Sequence, residues 1–331
     1  MTKAFHLIPL FLNNFNHVKG SVLLNKITVL GSLNVDTTFR IKRFPEPGET
    51  VHVHEKTSAA GGKGANQAVA AARSGAKTAF IGQIGDDGAG KFMLQSLEND
   101  NIDGSYVSTS ESVGTGTANI MLDENGQNCI LVYGGANQKL TVADVKKAEP
   151  VIKNSDFVVA QFETPQDAAT AAFQIAKANG VTTVLNPAPA PSTSISTELL
   201  KLTDIIAPNE LESASITGIK ITNEDSMIAT ADKFSNMGIN NLIITVGDKG
   251  AFYSTQSDRE LIPAFKVKVV DTTAAGDTFI GAFVSQLKPD FSNIKSAVTF
   301  AQHASSLTVQ RLGAQPSIPK LDEILKVENV Q

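Results

Sequence analysis

Asp271-Thr272-Thr273-Ala274-Ala275-Gly276-Asp277, running straight into Thr278-Phe279-Ile280-Gly281-Ala282-Phe283, is the stretch from which the rest of the chain can be read. An acid, two threonines and a run of small residues lead to a second acid, and an apolar, helix-forming segment follows at once. Small residues let backbone approach a ligand closely, and the first N–H groups of a helix have no partner inside it. Those groups and the helix dipole favour an anion such as a phosphate. An aspartate among them repels a phosphate, so Asp277 is an odd choice for binding alone. It makes sense where a carboxylate must take the proton of a hydroxyl that attacks the phosphate. The plain alternative is a helix cap, the common duty of an aspartate at a helix start. The segment by itself leaves both open.

Around this stretch, apolar runs alternate with amphipathic ones, the pattern of an α/β fold with a mainly parallel sheet and helices on both faces. Strands are expected at Ile27–Leu30, Thr78–Ile81, Phe157–Gln161, Thr183–Leu185, Ile205–Ala207 and Leu242–Val246. Helices are expected at Gly64–Ser74, Gly88–Glu98, Thr141–Asn154, Pro165–Asn179, Asp225–Met237, Gly276–Gln286 and Ser292–Val309. In such sheets ligands sit outside the carboxyl ends of the strands. Gly31-Ser-Leu-Asn34, Gln161-Phe-Glu163, Asn186, Pro208-Asn209 and Gly247 all fall at or just past expected strand ends, which points to one composite site. Residues 35–60 and 115–133 break the rhythm and read as strands and turns without a helix, with Asp123-Glu-Asn-Gly126 as a hairpin turn.

The 331 residues are 42% hydrophobic, enough for a sizeable core, and carry a net charge of −5, which argues against a nucleic-acid-binding surface. A single cysteine, Cys129, excludes an intrachain disulfide and suits a reducing cytoplasm. It lies in the mostly apolar run Asn128–Tyr133 and reads as a packing residue. His52 and His54 are two apart and would share a strand face, with no cysteine nearby to complete a zinc site. The first 25 residues are expected to stand outside the fold, disordered or the product of a start placed too far upstream. Their apolar stretch, Ala4–Leu12, is too short and too broken by His6 and Pro9 to span a membrane.

Gly61-Gly62-Lys63-Gly64-Ala65-Asn66-Gln67 places a glycine cluster at the start of an alanine-rich helix, with Lys63 and Asn66 as polar donors. The spacing is not that of a P-loop, and no dinucleotide-binding glycine motif follows the first strand. Asn34 and Asp36 are alternate residues and face one way in an extended chain, a device for hydroxyl binding and equally for turns. Asn209-Glu210-Leu211-Glu212 reads as an N-cap with acids in the first turn. Thr245-Val246-Gly247-Asp248-Lys249-Gly250 reads as a backbone loop or a hairpin turn.

Together these segments resemble the ribokinase-type (PfkB) carbohydrate kinases, in family order from about Lys26 to Pro319. Likeness to the ribose-phosphorylating branch is strongest in the unbroken Gly61–Gln67 run and the Gly313-Ala-Gln-Pro-Ser317 ending. The resemblance implies a ribokinase-like α/β domain over 26–320, with a small β-sheet lid from 35–60 and 115–133 through which two copies pair. It implies ATP-dependent phosphorylation of the 5-hydroxyl of D-ribose, with Asp277 as base and the amides of Ala274, Ala275 and Gly276 as the anion hole. Asn34, Asp36, Gly62, Lys63, Gly64, Ala65, Asn66 and Glu163 would hold the sugar. Asn209 and the Thr245, Val246, Gly247, Asp248, Lys249, Gly250 loop, with Gly276 and Asp277, would meet the nucleotide. Glu212 would organise Mg²⁺ through water, and Asp271, Thr273, Thr308, Arg311, Gly313 and Ser317 would surround K⁺. The rivals are a kinase for another sugar or a nucleoside, and a non-catalytic sugar-binding regulator on the same fold, against which an intact Asp277 speaks.

Overall fold

The structure, a computed structural model, describes residues 25–191 and 194–328. Its strands are β1 (Lys26–Leu30), β2 (Asn34–Ile41), β3 (Val53–Gly61), β4 (Lys77–Gly85), β5 (Asp103–Ser110), β6 (Gly116–Leu122) and β7 (Asn128–Tyr133). The second half adds β8 (Phe157–Ala160), β9 (Thr182–Leu185), β10 (Ile205–Ile206), β11 (Asn241–Thr245), β12 (Gly250–Ser254) and β13 (Arg259–Pro263). Nine of them form one sheet in the order β13-β12-β11-β10-β9-β8-β1-β4-β5, parallel from β11 to β5. The antiparallel β12–β13 hairpin closes one edge.

The strand cores are continuously apolar because both faces are covered, as a parallel sheet requires. Alternate residues then feed two apolar layers. Ile27, Val29, Val159, Val184 and Ile243 join the layer that contains helices Lys63–Arg73, Ala275–Gln286 and Ile294–Thr308. Leu30, Val158, Leu185, Leu242 and Ile244 join the other, beneath helices Gln166–Ala178 and Glu224–Asn236. Among the described residues no helix is long and apolar enough to cross a membrane.

The remaining four strands form a separate sheet, β3-β2-β6-β7, in which β2 runs parallel to β6 and antiparallel to β3. Both stretches without helices belong to it, and the turn at Asp123 closes as expected, with Gly126 N–H on the Asp123 carbonyl at 3.1 Å and Gly126 at φ 78°. This sheet is rooted where the large one ends. Three residues separate β1 from β2, and β3 runs into Gly62 and the helix Lys63–Arg73.

Several expectations need correction. Thr141–Asn154 is two short helices, Val142–Lys147 and Glu149–Lys153, because Pro150 has no N–H to continue the first and suits the opening turn of the second. The Ser/Thr-rich β5 and the β12–β13 hairpin were not foreseen. Cys129 is exposed, as is the whole of β7, since nothing among the described residues covers that strand. His54 is skipped in the β2–β3 register, where Arg40 faces Glu55 and Ile41 faces Val53, so the strand face expected for His52 and His54 does not form. The expectation for residues 1–25 falls outside the described residues except at Asn25. There the side-chain amide donates to the carbonyls of Val284 and Leu287 at 2.9 and 2.7 Å and so belongs to the fold. At the other end, the helix Leu321–Glu328 buries Ile324 in the core, beyond the expected limit of 320.

Candidate active site

The strand order reverses between β1 and β8, and the loops leaving their carboxyl ends meet. Ser32 Oγ, from the loop after β1, donates to Glu163 Oε2, from the loop after β8. The same carboxylate oxygen accepts from Lys63 N–H at 3.0 Å. Gly62 makes this entry possible: its φ is 88°, and a Cβ there would lie 2.9 Å from Ser32 O and Asn34 N. Gly31 and Gly64 pack against each other, a Cβ on Gly64 falling 2.6 Å from Gly31 Cα. The glycines here serve contact between chain segments. Ser32 Oγ and the Ser32 carbonyl take the N–H groups of Gly64 and Ala65 at 3.3 and 3.0 Å. Gly64 and Ala65 thus turn their amides into the protein, leaving the side chains of Lys63 and Asn66 for a ligand.

Asn34 and Asp36 stand at the start of β2, as expected, with Asn34 fixed by a residue that the sequence did not suggest. Asn137 accepts from Leu33 N–H at 2.9 Å and donates to Asn34 Oδ1 at 2.8 Å. The Asp36 carboxyl lies against Gly61, and its Oδ1 is buried without a partner. Burial, then the charges of Glu163 and Asp277, push this carboxyl up to about 7, against the pull of Lys63.

Asp277 is buried in the first turn of helix Ala275–Gln286. Ala274 caps that helix in the left-handed region (φ 60°, ψ 8°), a conformation that costs a residue with a Cβ about 1–2 kcal/mol. Ala275 N–H is held by the Thr272 carbonyl at 3.2 Å and so closes the turn. Gly276 faces open space, with nothing within 4 Å of where a Cβ would be. Asp277 Oδ2 accepts from Asn66 Nδ2 and Oδ1 from Gln67 Nε2, both at 3.0 Å. Asp277 foremost, then Glu163, Glu212 and Asp36, hold the Lys63 ammonium above its ordinary range despite burial. One lysine and four carboxylates thus come together from five different parts of the sequence.

Asn209 and Glu212 cap each other: Asn209 Oδ1 accepts from Glu212 N–H at 2.8 Å and Glu212 Oε2 from Asn209 N–H at 2.9 Å. Burial raises the Glu212 carboxyl, opposed by the Asn209 N–H and by Lys63. That coupling shows the plain capping role and a place facing the site to be compatible. Asn209 bridges to Thr245 in parallel, so the Thr245–Gly250 turn between β11 and β12 lies beside it.

The loop after helix Ile294–Thr308 comes back to Asp271. Asp271 Oδ2 accepts from Gly313 N–H at 2.9 Å, and Oδ1 from the N–H and hydroxyl of Thr273 at 2.9 and 2.6 Å. Burial alone would raise this carboxyl, but the Thr273 and Gly313 bonds outweigh it and hold it below its ordinary value. The other expected side chains point elsewhere. Thr308 Oγ1 bonds Thr278 Oγ1 at 3.1 Å, Arg311 pairs with Glu323, and Ser317 Oγ bonds the Ala314 carbonyl at 2.7 Å. Any share of theirs in a cation site falls mainly to backbone oxygens.

The pfkB family carbohydrate kinase model matches residues 24–321. The chain belongs to that family. Ribokinase of Staphylococcus aureus is 51% identical over 92% of this chain and all of its own length. Ribokinase of Haemophilus influenzae is 44% identical over 91% of this chain and 97% of its own. Arabidopsis thaliana ribokinase, solved with ribose and ATP, superposes with a TM-score of 0.85 at 32% identity, covering 92% of this chain and 99% of that one. Within this pfkB kinase, the site residues that motif reading passed over are Ser32, Gln67, Asn137, Gln161 and Asn186. Ser32, Gln161 and Asn186 have one legible signal, their place at or just past strand ends, and Gln67 has its place in the glycine run; Asn137 has none.

Proposed function

We propose that this pfkB kinase transfers the γ-phosphoryl group of ATP to the 5-hydroxyl of D-ribose, with Asp277 as base. One observation carries the sugar assignment: Asp36 Oδ1 and Asn66 Oδ1 are both acceptors, both buried and both without a protein partner. Such atoms call for a ligand with several O–H donors. Lys63, Asn34 and Glu163 complete a polar set, and none of its members is an aromatic that could stack a nucleobase. The three relatives named above bear the same activity in their names, and one was solved with both substrates.

In the transfer, O5 loses its proton to Asp277 as the bond from O5 to the γ-phosphorus forms. The bond from that phosphorus to the β-phosphate oxygen breaks, and its electron pair leaves with ADP. The opening turn of helix Ala275–Gln286, with Gly276 facing open space, offers amide donors for the charge on the moving group. Little more than position and charge is needed for a loose phosphoryl transfer.

Four carboxylates beside a nucleotide tail repel it, which favours Mg²⁺ carried on the phosphates. Among the described residues no three His, Cys, Asp or Glu side chains converge as a metal cage, and Mg²⁺ ordinarily uses few protein ligands. When bound, the ion neutralises phosphate charge, and Glu212 would hold its water. Asp271 carries one negative charge beside the Ala274 turn, and together with backbone carbonyls of the loop that meets it at Gly313 it would offer K⁺ an all-oxygen set. A second copy of the chain, pairing through β7, would cover the exposed run Ile130–Tyr133.

The test is an ATP-turnover panel of pentoses, hexoses and nucleosides, each in K⁺ and in tetramethylammonium. Ribose in K⁺ is expected to give the highest kcat/KM. Adenosine equal to ribose would refute the substrate, ATP turnover indifferent to any sugar would refute the kinase, and equal rates in both salts would remove the cation.

A further inference from the structure

Gln67 lies next to the expected sugar ligand Asn66, is buried, and reaches the carboxylate on the far side of the pocket. Both of its N–H bonds are in use: Nε2 donates to Asp277 Oδ1 at 3.0 Å and to Asn186 Oδ1 at 2.9 Å. Its oxygen accepts from Gln161 Nε2 at 2.6 Å. The polarity of this chain is set at its far end. Asn186 Nδ2 donates to the Ala207 carbonyl at 2.7 Å, and a carbonyl can only accept. Asn186 must therefore turn its oxygen to Gln67, and Gln67 its nitrogen to Asp277. Turning the Gln67 amide over would break three buried hydrogen bonds at once, each costly to leave unmade.

Asn66 is built the opposite way. It donates to Asp277 Oδ2 at 3.0 Å, yet its own oxygen is buried without a protein partner, so one protein hydrogen bond, not three, sets the sense of the amide. The two carboxylate oxygens are thus unequal: Oδ1 faces a donor locked by three protein bonds, Oδ2 one held by a single protein bond.

We propose that Gln67 is a positioning residue, aimed by the Ala207 carbonyl through Asn186, which keeps Asp277 Oδ1 a standing acceptor and assigns the sugar proton to Oδ2. The inference rests on the reading of Asp277 as the base. As O5–H breaks, the proton goes to Oδ2, which gives up only the single bond from Asn66, while Oδ1 keeps its bond from Gln67.

Gln67→Met keeps the side chain's volume and removes the donor. Its kcat is expected to fall about 10- to 100-fold, with KM for ribose and ATP within about threefold, because the loss acts on the chemical step. In the Asp277→Asn background the same change is expected to cost nothing further, since the group it positions is gone. Asn186→Leu, which leaves Asp277 untouched and frees the Gln67 amide to turn, is expected to lower kcat in the same sense by a smaller factor. It takes the place of Gln67→Met should that variant fail to fold. A kcat within about twofold of wild type in a less stable Gln67→Met, a loss confined to KM, or full additivity with Asp277→Asn would overturn the proposal. An Asp277→Asn variant within about tenfold of wild type would show that the base reading itself had failed, whatever Gln67 does.

Discussion

Asp36 is the residue whose chemistry departs furthest from its behaviour in water. Its carboxyl is raised from 3.8 to about 7, chiefly by burial and then by Glu163 and Asp277. A raised carboxyl means that the folded chain binds a proton more tightly than the unfolded one between these two values. The stabilisation is therefore full below about pH 4 and is lost as pH rises to about 7. Above that, the empty site holds an unpaired carboxylate, and Asp36→Asn is expected to raise the stability of the sugar-free protein at pH 8 by roughly 1–3 kcal/mol. Sugar hydroxyls bound as proposed would reverse the preference, because they donate to the ionised form. With ATP saturating, KM for ribose is expected to rise by roughly tenfold between pH 8 and pH 6. A KM flat across that range would mean that the sugar does not bind Asp36 as a carboxylate.

At the scale of elements, the site depends on one helix crossing. Helix Lys63–Arg73 brings Lys63, Asn66 and Gln67, and helix Ala275–Gln286 brings Asp277. They touch at Gly281, where a Cβ would fall 2.4 Å from the Gln67 carbonyl oxygen, 2.5 Å from Ala70 Cβ and 2.6 Å from Ala71 N. Backbone on one side leaves no soft neighbour to yield, so the helices themselves must part. Gly281→Val is expected to cost about 1–3 kcal/mol through overpacking. It should also lower kcat, because the 3.0 Å bonds from Asn66 and Gln67 to Asp277 span the same crossing. Thermal unfolding and kcat measured together decide the matter: a lower Tm with unchanged kcat would show that the crossing holds the fold without aligning the site.

Across the whole molecule, the small sheet is the part left incomplete. β7 shows Ile130, Leu131, Val132 and Tyr133 to solvent in succession, each 50–62% exposed, so neither of its faces is covered by the described residues. A four-stranded sheet with an apolar edge strand is a ready surface for another copy. Leu131→Arg is expected to turn a dimer into a monomer of 34.9 kDa in sedimentation equilibrium. Wild-type protein already sedimenting as a monomer would sink the pairing. The sheet's two roots, Asn34 and Gly61, pair with each other beside the proposed sugar pocket, so its position would bear on ribose binding as well as on the proposed pairing.

The sequence by itself determined the alternation of strands and helices, the two stretches that leave it, and the strand ends at which the site gathers. These are local properties: an apolar run, a turn residue or a helix start is written in a few neighbouring positions. It also singled out Asp277, Asp36 and Lys63, because a motif carries its own spacing. Only the tertiary structure decided what each polar group touches. Asn66 meets Asp277 across 211 positions, and Asn137 holds Leu33 across 104. The same holds for the amides of Gly64 and Ala65, which look like ligand donors in the sequence and are spent on Ser32. The rise of the Asp36 carboxyl and the fixed sense of the Gln67 amide belong here too. Burial and hydrogen-bond polarity are properties of surroundings, and in this chain the surroundings of one residue come from segments far away along it.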